Sequence, residues 1–192
     1  MNTPLLLSDF DGVFNISASK NSYVRRKDAF GYVRKNNLGY SRYGYTFPVM
    51  YSAEMVSKFN SAKNLYGFKW LWLSTWLDTT VTDVDRALLT RSDGYVDWDA
   101  DGGLPSGTDK ATSDLVTLIR ADRKYAALLA TLRADPRPFV WIDDDATPSY
   151  DPKDFVGDLD VPHLVLATDP DYGMLKPDLD RMLAFFDSLK TD

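Results

Sequence analysis

Leu5-Leu6-Leu7-Ser8-Asp9-Phe10-Asp11-Gly12-Val13-Phe14-Asn15 is the stretch around which the rest of the chain is organised. Three consecutive leucines make a short apolar run. A run that ends in turn chemistry suits the central strand of a parallel sheet, buried on both faces. Its carboxyl end carries Asp9 and Asp11, one residue apart, and then Gly12. Open α/β sheets bind ligands in the crevice beyond the carboxyl ends of their strands. Two carboxylates that close repel unless a cation sits between them or one keeps a proton. The stretch therefore suggests a hard-metal site, with one carboxylate left for covalent or acid-base work. Alone, Asp-x-Asp-Gly also reads as a strand followed by a common turn, so other segments decide.

Outward from this stretch, the composition narrows the class. The chain has 192 residues, 44% hydrophobic and 26% charged, which suits a single globular domain over 1–192. It contains no Cys, which excludes disulfides and thiolate chemistry and fits a reducing compartment. Asp9 interrupts the first apolar run at once, so no signal peptide is expected, and no stretch is long enough to span a bilayer. A cytoplasmic location with no membrane partner is the expectation. His163 is the only histidine, which argues against Ser-His-Asp catalysis and multi-histidine zinc sites. It is expected at a strand edge and not as a ligand, and the five Trp are expected in the core or lining the crevice.

Charge is unevenly spread. Between Lys20 and Tyr45 lie Lys20, Arg25, Arg26, Lys27, Arg34, Lys35 and Arg42 against the single acid Asp28. That is a net +6, which leaves -12 for the rest of a chain whose total is -6. A basic segment on an acidic body suggests an anionic partner. The same segment carries Tyr23, Tyr32, Tyr40, Tyr43 and Tyr45 and reads as a β-hairpin, a small flap inserted over about residues 17–48. Aromatics interleaved with Arg and Lys can stack bases and hold backbone phosphates, and Tyr-rich hairpins are also simply good strands.

Beyond the flap, strands alternate with helices. Ser52 can cap a helix with Glu54 in its first turn, Met55, Val56, Phe59 and Ala62 on one face, and its end at Asn64 to Gly67. Phe68 to Leu73 is a second strong strand, closed by Ser74-Thr75-Trp76. Leu77, Val81, Val84 and Leu88 line a following helix, and Ser92 to Gly107 reads as a loop. Ala111 to Ile119 and Tyr125 to Leu132 mark further helix, which Asp135-Pro136 stops. Phe139 to Ile142 is a third strong strand, ending in Asp143-Asp144-Asp145, and His163 to Ala167 a fourth. Leu175, Leu179, Met182, Leu183, Phe186 and Leu189 form the stripe of a final helix. The alternation predicts an α/β, Rossmann-like fold: a mostly parallel sheet with helices on both faces.

Three apolar strands thus end in Asp9-Phe10-Asp11, Ser74-Thr75 and Asp143-Asp144-Asp145, and a parallel sheet puts all three clusters on one edge. On these segments the chain resembles the haloacid-dehalogenase-like (HAD) superfamily of phosphohydrolases. Leu5 to Val13 matches its strand with Asp-x-Asp-Gly. Phe68 to Thr75 matches its strand ending in Ser or Thr, and Phe139 to Asp144 its strand ending in paired acids. The stretches Trp72 to Trp76, Arg137 to Asp144 and Asp169 to Leu175 are similar to small bacterial and phage HAD-like proteins.

The resemblance implies a HAD fold with a small flap and no large cap domain. It implies Mg2+-dependent phosphomonoester hydrolysis through an aspartyl-phosphate. Asp9 would be the nucleophile, and Asp11 the acid for the leaving oxygen and then the base for water. Mg2+ would sit between Asp9, the backbone carbonyl of Asp11 and Asp143, with Asp144 as a supporting acid. Ser74, with Thr75 as second candidate, would bind a phosphate oxygen. A Lys at a helix start would neutralise charge. Lys124, whose helix runs directly into the Phe139 strand, is preferred, and Lys110 is the alternative. The expected substrate is a phosphorylated compound, with a nucleotide or nucleic-acid end preferred. The rival is a HAD-like binding or regulatory protein without catalysis, against which the presence of both Asp9 and Asp11 counts.

Overall fold

In the computed structural model, Leu5, Leu6 and Leu7 form the heart of a strand that pairs on both sides. The structure describes residues 2–16, 26–40, 46–74, 76, 83–97, 123–146 and 161–190. In chain order its elements are β1 (Leu5–Ser8), β2 (Val33–Tyr40), β3 (Thr46–Tyr51), α1 (Ala53–Tyr66), β4 (Lys69–Trp72), α2 (Asp85–Leu88), α3 (Arg123–Ala134), β5 (Phe139–Asp143), β6 (His163–Ala167) and α4 (Lys176–Ser188). Four strands make a parallel sheet in the order β4-β1-β5-β6. Leu5 lies opposite Lys69 on one side and Phe139 on the other, so β1 is central.

Alternation along the strands sorts the core into two halves. Leu6, Trp70, Trp72, Val140, Ile142 and Leu166 face one side, where Met55, Val56 and Phe59 of α1 and Leu179, Met182 and Phe186 of α4 cover them. Leu5, Leu7, Leu71, Phe139 and Trp141 face the other, under Ala127, Leu128, Leu129 and Leu132 of α3. Helices therefore lie on both faces of the parallel sheet. Each fully buried leucine here contributes roughly 1.5–3 kcal/mol of transfer free energy. The one polar side chain of β1, Ser8, accepts the Trp70 indole N–H at 2.8 Å, so its burial costs no orphaned donor.

α1 is delimited as its sequence predicts. The Ser52 hydroxyl accepts the Met55 N–H at 3.3 Å, and Gly67 ends the helix in the left-handed region at φ 68°. Tyr125 to Leu132 falls within α3, which Asp135 and Pro136 follow. Of the helix expected from Leu77, residues 77–82 lie outside the described set, and α2 begins only at Asp85. Of the loop expected from Ser92 to Gly107, residues 92–97 hold no helix or strand beyond one bridge at Tyr95, and residues 98–107 lie outside the described set. Asp93 and Val96 donate their N–H groups to Trp70 and Trp72, and Gly94 accepts that of Trp72, at 2.7 to 3.0 Å. The outer edge of β4 needs backbone partners, and this segment supplies them. A single bridge leaves no alternation to read in the sequence.

The expected hairpin is a two-stranded antiparallel sheet of β2 and β3, with Val33 opposite Tyr51 and Tyr40 opposite Thr46. Its second strand runs to Tyr51, past the expected limit near residue 48, because Val49 and Tyr51 alternate into the core. Residues 17–25 and 41–45 lie outside the described set, and with them Lys20, Arg25 and Arg42. Arg26 pairs with Asp28 at 2.7 Å and lies 5.0 Å from the centre of the Tyr172 ring. Trp70, Trp72 and Trp141 are fully buried. His163 opens β6, stacks on Phe139 with ring centres 5.4 Å apart, and bonds through Nδ1 to the Val161 carbonyl at 3.0 Å. No helix among the described residues is long and apolar enough to cross a membrane.

Candidate functional site

Strand alternation continues past the last paired residue. Leu5 and Leu7 face α3, and Asp9 follows them in the same phase; Phe139, Trp141 and Asp143 do likewise on β5. The Asp9 N–H donates to the Ile142 carbonyl at 2.9 Å, which ties the two strand ends together. α3 covers this face, and its second residue is Lys124. The buried Lys124 Nζ pairs with Asp9 Oδ2 and, at 2.7 Å, with Asp143 Oδ2. Asp143 is itself fixed from two sides. Its Oδ1 accepts the Asp145 N–H at 3.0 Å, and its Oδ2 accepts the Trp141 indole N–H at 3.2 Å.

Asp144 joins from the turn after β5. Carboxylate oxygens of Asp9, Asp143 and Asp144 all lie within 4.8 Å of one another. Gly12 makes room for this. It holds φ 67°, and a Cβ at Gly12 would overlap the Asp144 carboxyl group. The Gly12 carbonyl is held in turn by the Thr168 hydroxyl at 2.8 Å, from the segment after β6. Ser74 is buried, donates to Asp9, and accepts the Trp76 N–H at 3.4 Å.

Burial dominates the electrostatics. It pushes the Asp9 carboxyl above the usual carboxylate range, against the pull of Lys124, Ser74 and the Phe10 N–H. It raises Asp143 to about 7, opposed by Lys124 and reinforced by the charge of Asp9. It raises Asp144 to about 6, with Asp9 and Asp145 adding repulsion. Burial works against a charged Lys124 as well, but Asp9 and Asp143 outweigh it and hold the ammonium above the ordinary lysine range. Fully ionised, three carboxylates and one ammonium leave two negative charges in a protein interior. Hard oxygen donors with that surplus are what a divalent cation such as Mg2+ takes, so the donor set fits one.

Asp11 lies apart from this cluster. Its Oδ1 accepts the Asn15 amide N–H at 2.6 Å and its Oδ2 the Trp76 indole N–H at 2.7 Å. Its carboxylate is thus not among the three grouped acids, and the metal role expected of Asp11 rested on its backbone carbonyl. The chain coils tightly here, with the Phe10 carbonyl accepting the N–H groups of Phe14 at 3.0 Å and Asn15 at 2.9 Å.

The fold thus brings Asp9, Ser74, Lys124, Asp143 and Asp144 together and sets Asp11 beside them in its own surroundings. Thr75 and Lys110 lie outside the described residues. Sequence reasoning missed Asn15 and Trp76 as partners of Asp11. Asn15 stands four residues after Asp11, but only the coiled turn makes that spacing a contact. It also missed Thr168, which directly follows the last residue of β6. No protein-family model matches the chain, and neither a curated protein nor a solved structure matches it.

Proposed function

We propose that this protein is a HAD-like, Mg2+-dependent phosphatase that hydrolyses a phosphomonoester through an aspartyl-phosphate on Asp9. The observation that carries the reading is the buried contact of Lys124 with both Asp9 and Asp143, with Asp144 within reach. A lone buried carboxylate would protonate; one paired with an ammonium can stay an anion and act as a nucleophile. An Asp9 oxygen attacks phosphorus while the bond to the leaving oxygen breaks, and Asp11 gives that oxygen its proton. Asp11, now ionised, takes a proton from water. The water oxygen bonds to phosphorus, the Asp9–phosphorus bond breaks, and inorganic phosphate leaves. Lys124 and Ser74 hold the Asp9 carboxylate in place and offer donors to the phosphoryl oxygens. Asp9, Asp143 and Asp144, with the Asp11 carbonyl, would hold Mg2+, whose charge allows an anionic nucleophile to meet an anionic ester.

The preferred substrate class is a nucleotide or nucleic-acid end. It is supported by the basic, Tyr-rich segment and by the attachment of β3 to the turn that carries Asp11. The test is a panel of phosphorylated compounds, nucleotides and oligonucleotides phosphorylated at either end, assayed with Mg2+ and with EDTA. Phosphate release that needs Mg2+ and disappears in Asp9→Asn is expected. Absence of release from every compound, with metal bound and the fold intact, would favour the binding-protein reading.

A further inference from the structure

An acid that protonates a leaving group must be held at one place, because a misplaced donor forfeits much of its effect. Asn15 is built to do this for Asp11. Its side-chain Oδ1 accepts the Met50 backbone N–H at 2.8 Å, and its Nδ2 donates to Asp11 Oδ1. The Met50 carbonyl accepts the Ile16 N–H at 3.0 Å, so both backbone groups of Met50 are taken by residues 15 and 16. A backbone N–H can only donate. Turning the Asn15 amide over would set N–H against N–H at Met50 and oxygen against oxygen at Asp11. Strand β3 therefore dictates which end of the amide faces Asp11. Trp76, the other neighbour, also offers Asp11 only a donor. Both neighbours therefore hold the Asp11 carboxylate as an acceptor.

We propose that Asn15 is a positioning residue that couples the seating of the hairpin to the Asp11 carboxylate, and through it to leaving-group protonation. The kinetic half of this rests on the phosphatase reading; the coupling itself rests on the hydrogen bonds. Two variants separate the parts. Asn15→Leu removes both bonds. Asn15→Asp keeps an acceptor for Met50 and, when ionised, has no donor for Asp11. Turnover is measured over a series of aryl phosphates with graded leaving groups, and hydrogen exchange is followed at the Met50 amide.

Both variants should lose about tenfold more rate on the poorest leaving group than on the best, since only the former needs the acid. Met50 exchange should accelerate in Asn15→Leu and stay protected in Asn15→Asp. An equal loss across the series, with wild type active, would overturn the positioning role and leave the phosphatase reading standing. Unchanged Met50 exchange in Asn15→Leu would overturn the coupling, whatever the activity. A wild type that hydrolyses none of the esters would end the phosphatase reading, and Met50 exchange then decides the coupling alone.

Discussion

Asp9 sits in a charged interior, against a buried ammonium and two further carboxylates, whereas Asp11, two residues on, is half-buried between two neutral N–H donors. The contrast comes from strand geometry. Asp9 keeps the phase of Leu5 and Leu7 and meets the helix on that face. Asp11 lies beyond the strand, in a turn bent by Gly12, and meets Asn15 and Trp76 instead. Two identical side chains in unlike surroundings can divide a reaction between them, one bonding covalently and one moving protons.

The strongest way to break this division is to exchange each carboxylate for its amide. Asp9→Asn is expected to abolish turnover, because an amide cannot form the acyl-phosphate. Asp11→Asn should cost on the order of 10²- to 10⁴-fold, the usual range for a lost proton donor. With an activated aryl phosphate it should still phosphorylate Asp9 and then stall. Rapid quench followed by mass analysis of the protein separates the two, and equal behaviour of both variants would erase the distinction.

Next in size is the ammonium on the Asp9 side. Lys124→Met leaves Asp9 and Asp143 buried without their counter-charge, and should destabilise the metal-free protein by roughly 3–5 kcal/mol near neutral pH. Urea unfolding in EDTA measures this. A change below about 1 kcal/mol would mean the pair is screened as surface pairs are. A smaller effect is expected at the glycine after Asp11. Gly12→Ala combines a left-handed backbone with a Cβ against Asp144, and should cost about 1–3 kcal/mol while displacing that carboxylate. Mg2+ titration by calorimetry would register the displacement as weaker binding.

The pH dependence probes the same cluster without a substitution. Asp143, at about 7, and Asp144, at about 6, lie above the ordinary value of 3.8. Between these values the folded protein binds protons that the unfolded chain releases. The stability they contribute is therefore complete at low pH and lost as pH rises towards about 7. Thermal midpoints in EDTA should fall over that window. Mg2+ competes for the same oxygens and should stabilise more at its upper end. Midpoints that rise with pH in EDTA would contradict the raised values.

What could be read in the sequence was local. Leu5 to Leu7, Lys69 to Trp72 and Phe139 to Ile142 announce strands through short apolar runs, and the polar residues after each fall on one sheet edge because all run parallel. Lys124 was legible because its helix leads directly into β5. The surroundings of Asp11 were not, because they depend on a turn conformation and on an indole 65 positions away. The bridge beside β4 was hidden for a similar reason: backbone groups alone make it, and their bonding leaves no pattern in side-chain type.

The central place of β1 has a consequence for the order of assembly. It is the first strand among the described residues, yet its partners start at Lys69 and Phe139. The turn behind it is fastened later still, by Thr168, 156 residues from Gly12. Contacts that close such long loops form slowly, since chain entropy is lost before the contact rewards it. On the ribosome, β1 therefore emerges as an apolar run with two bare edges and waits while most of the chain is made. The turn that carries Asp11 can be tightened only once the segment after β6 has arrived.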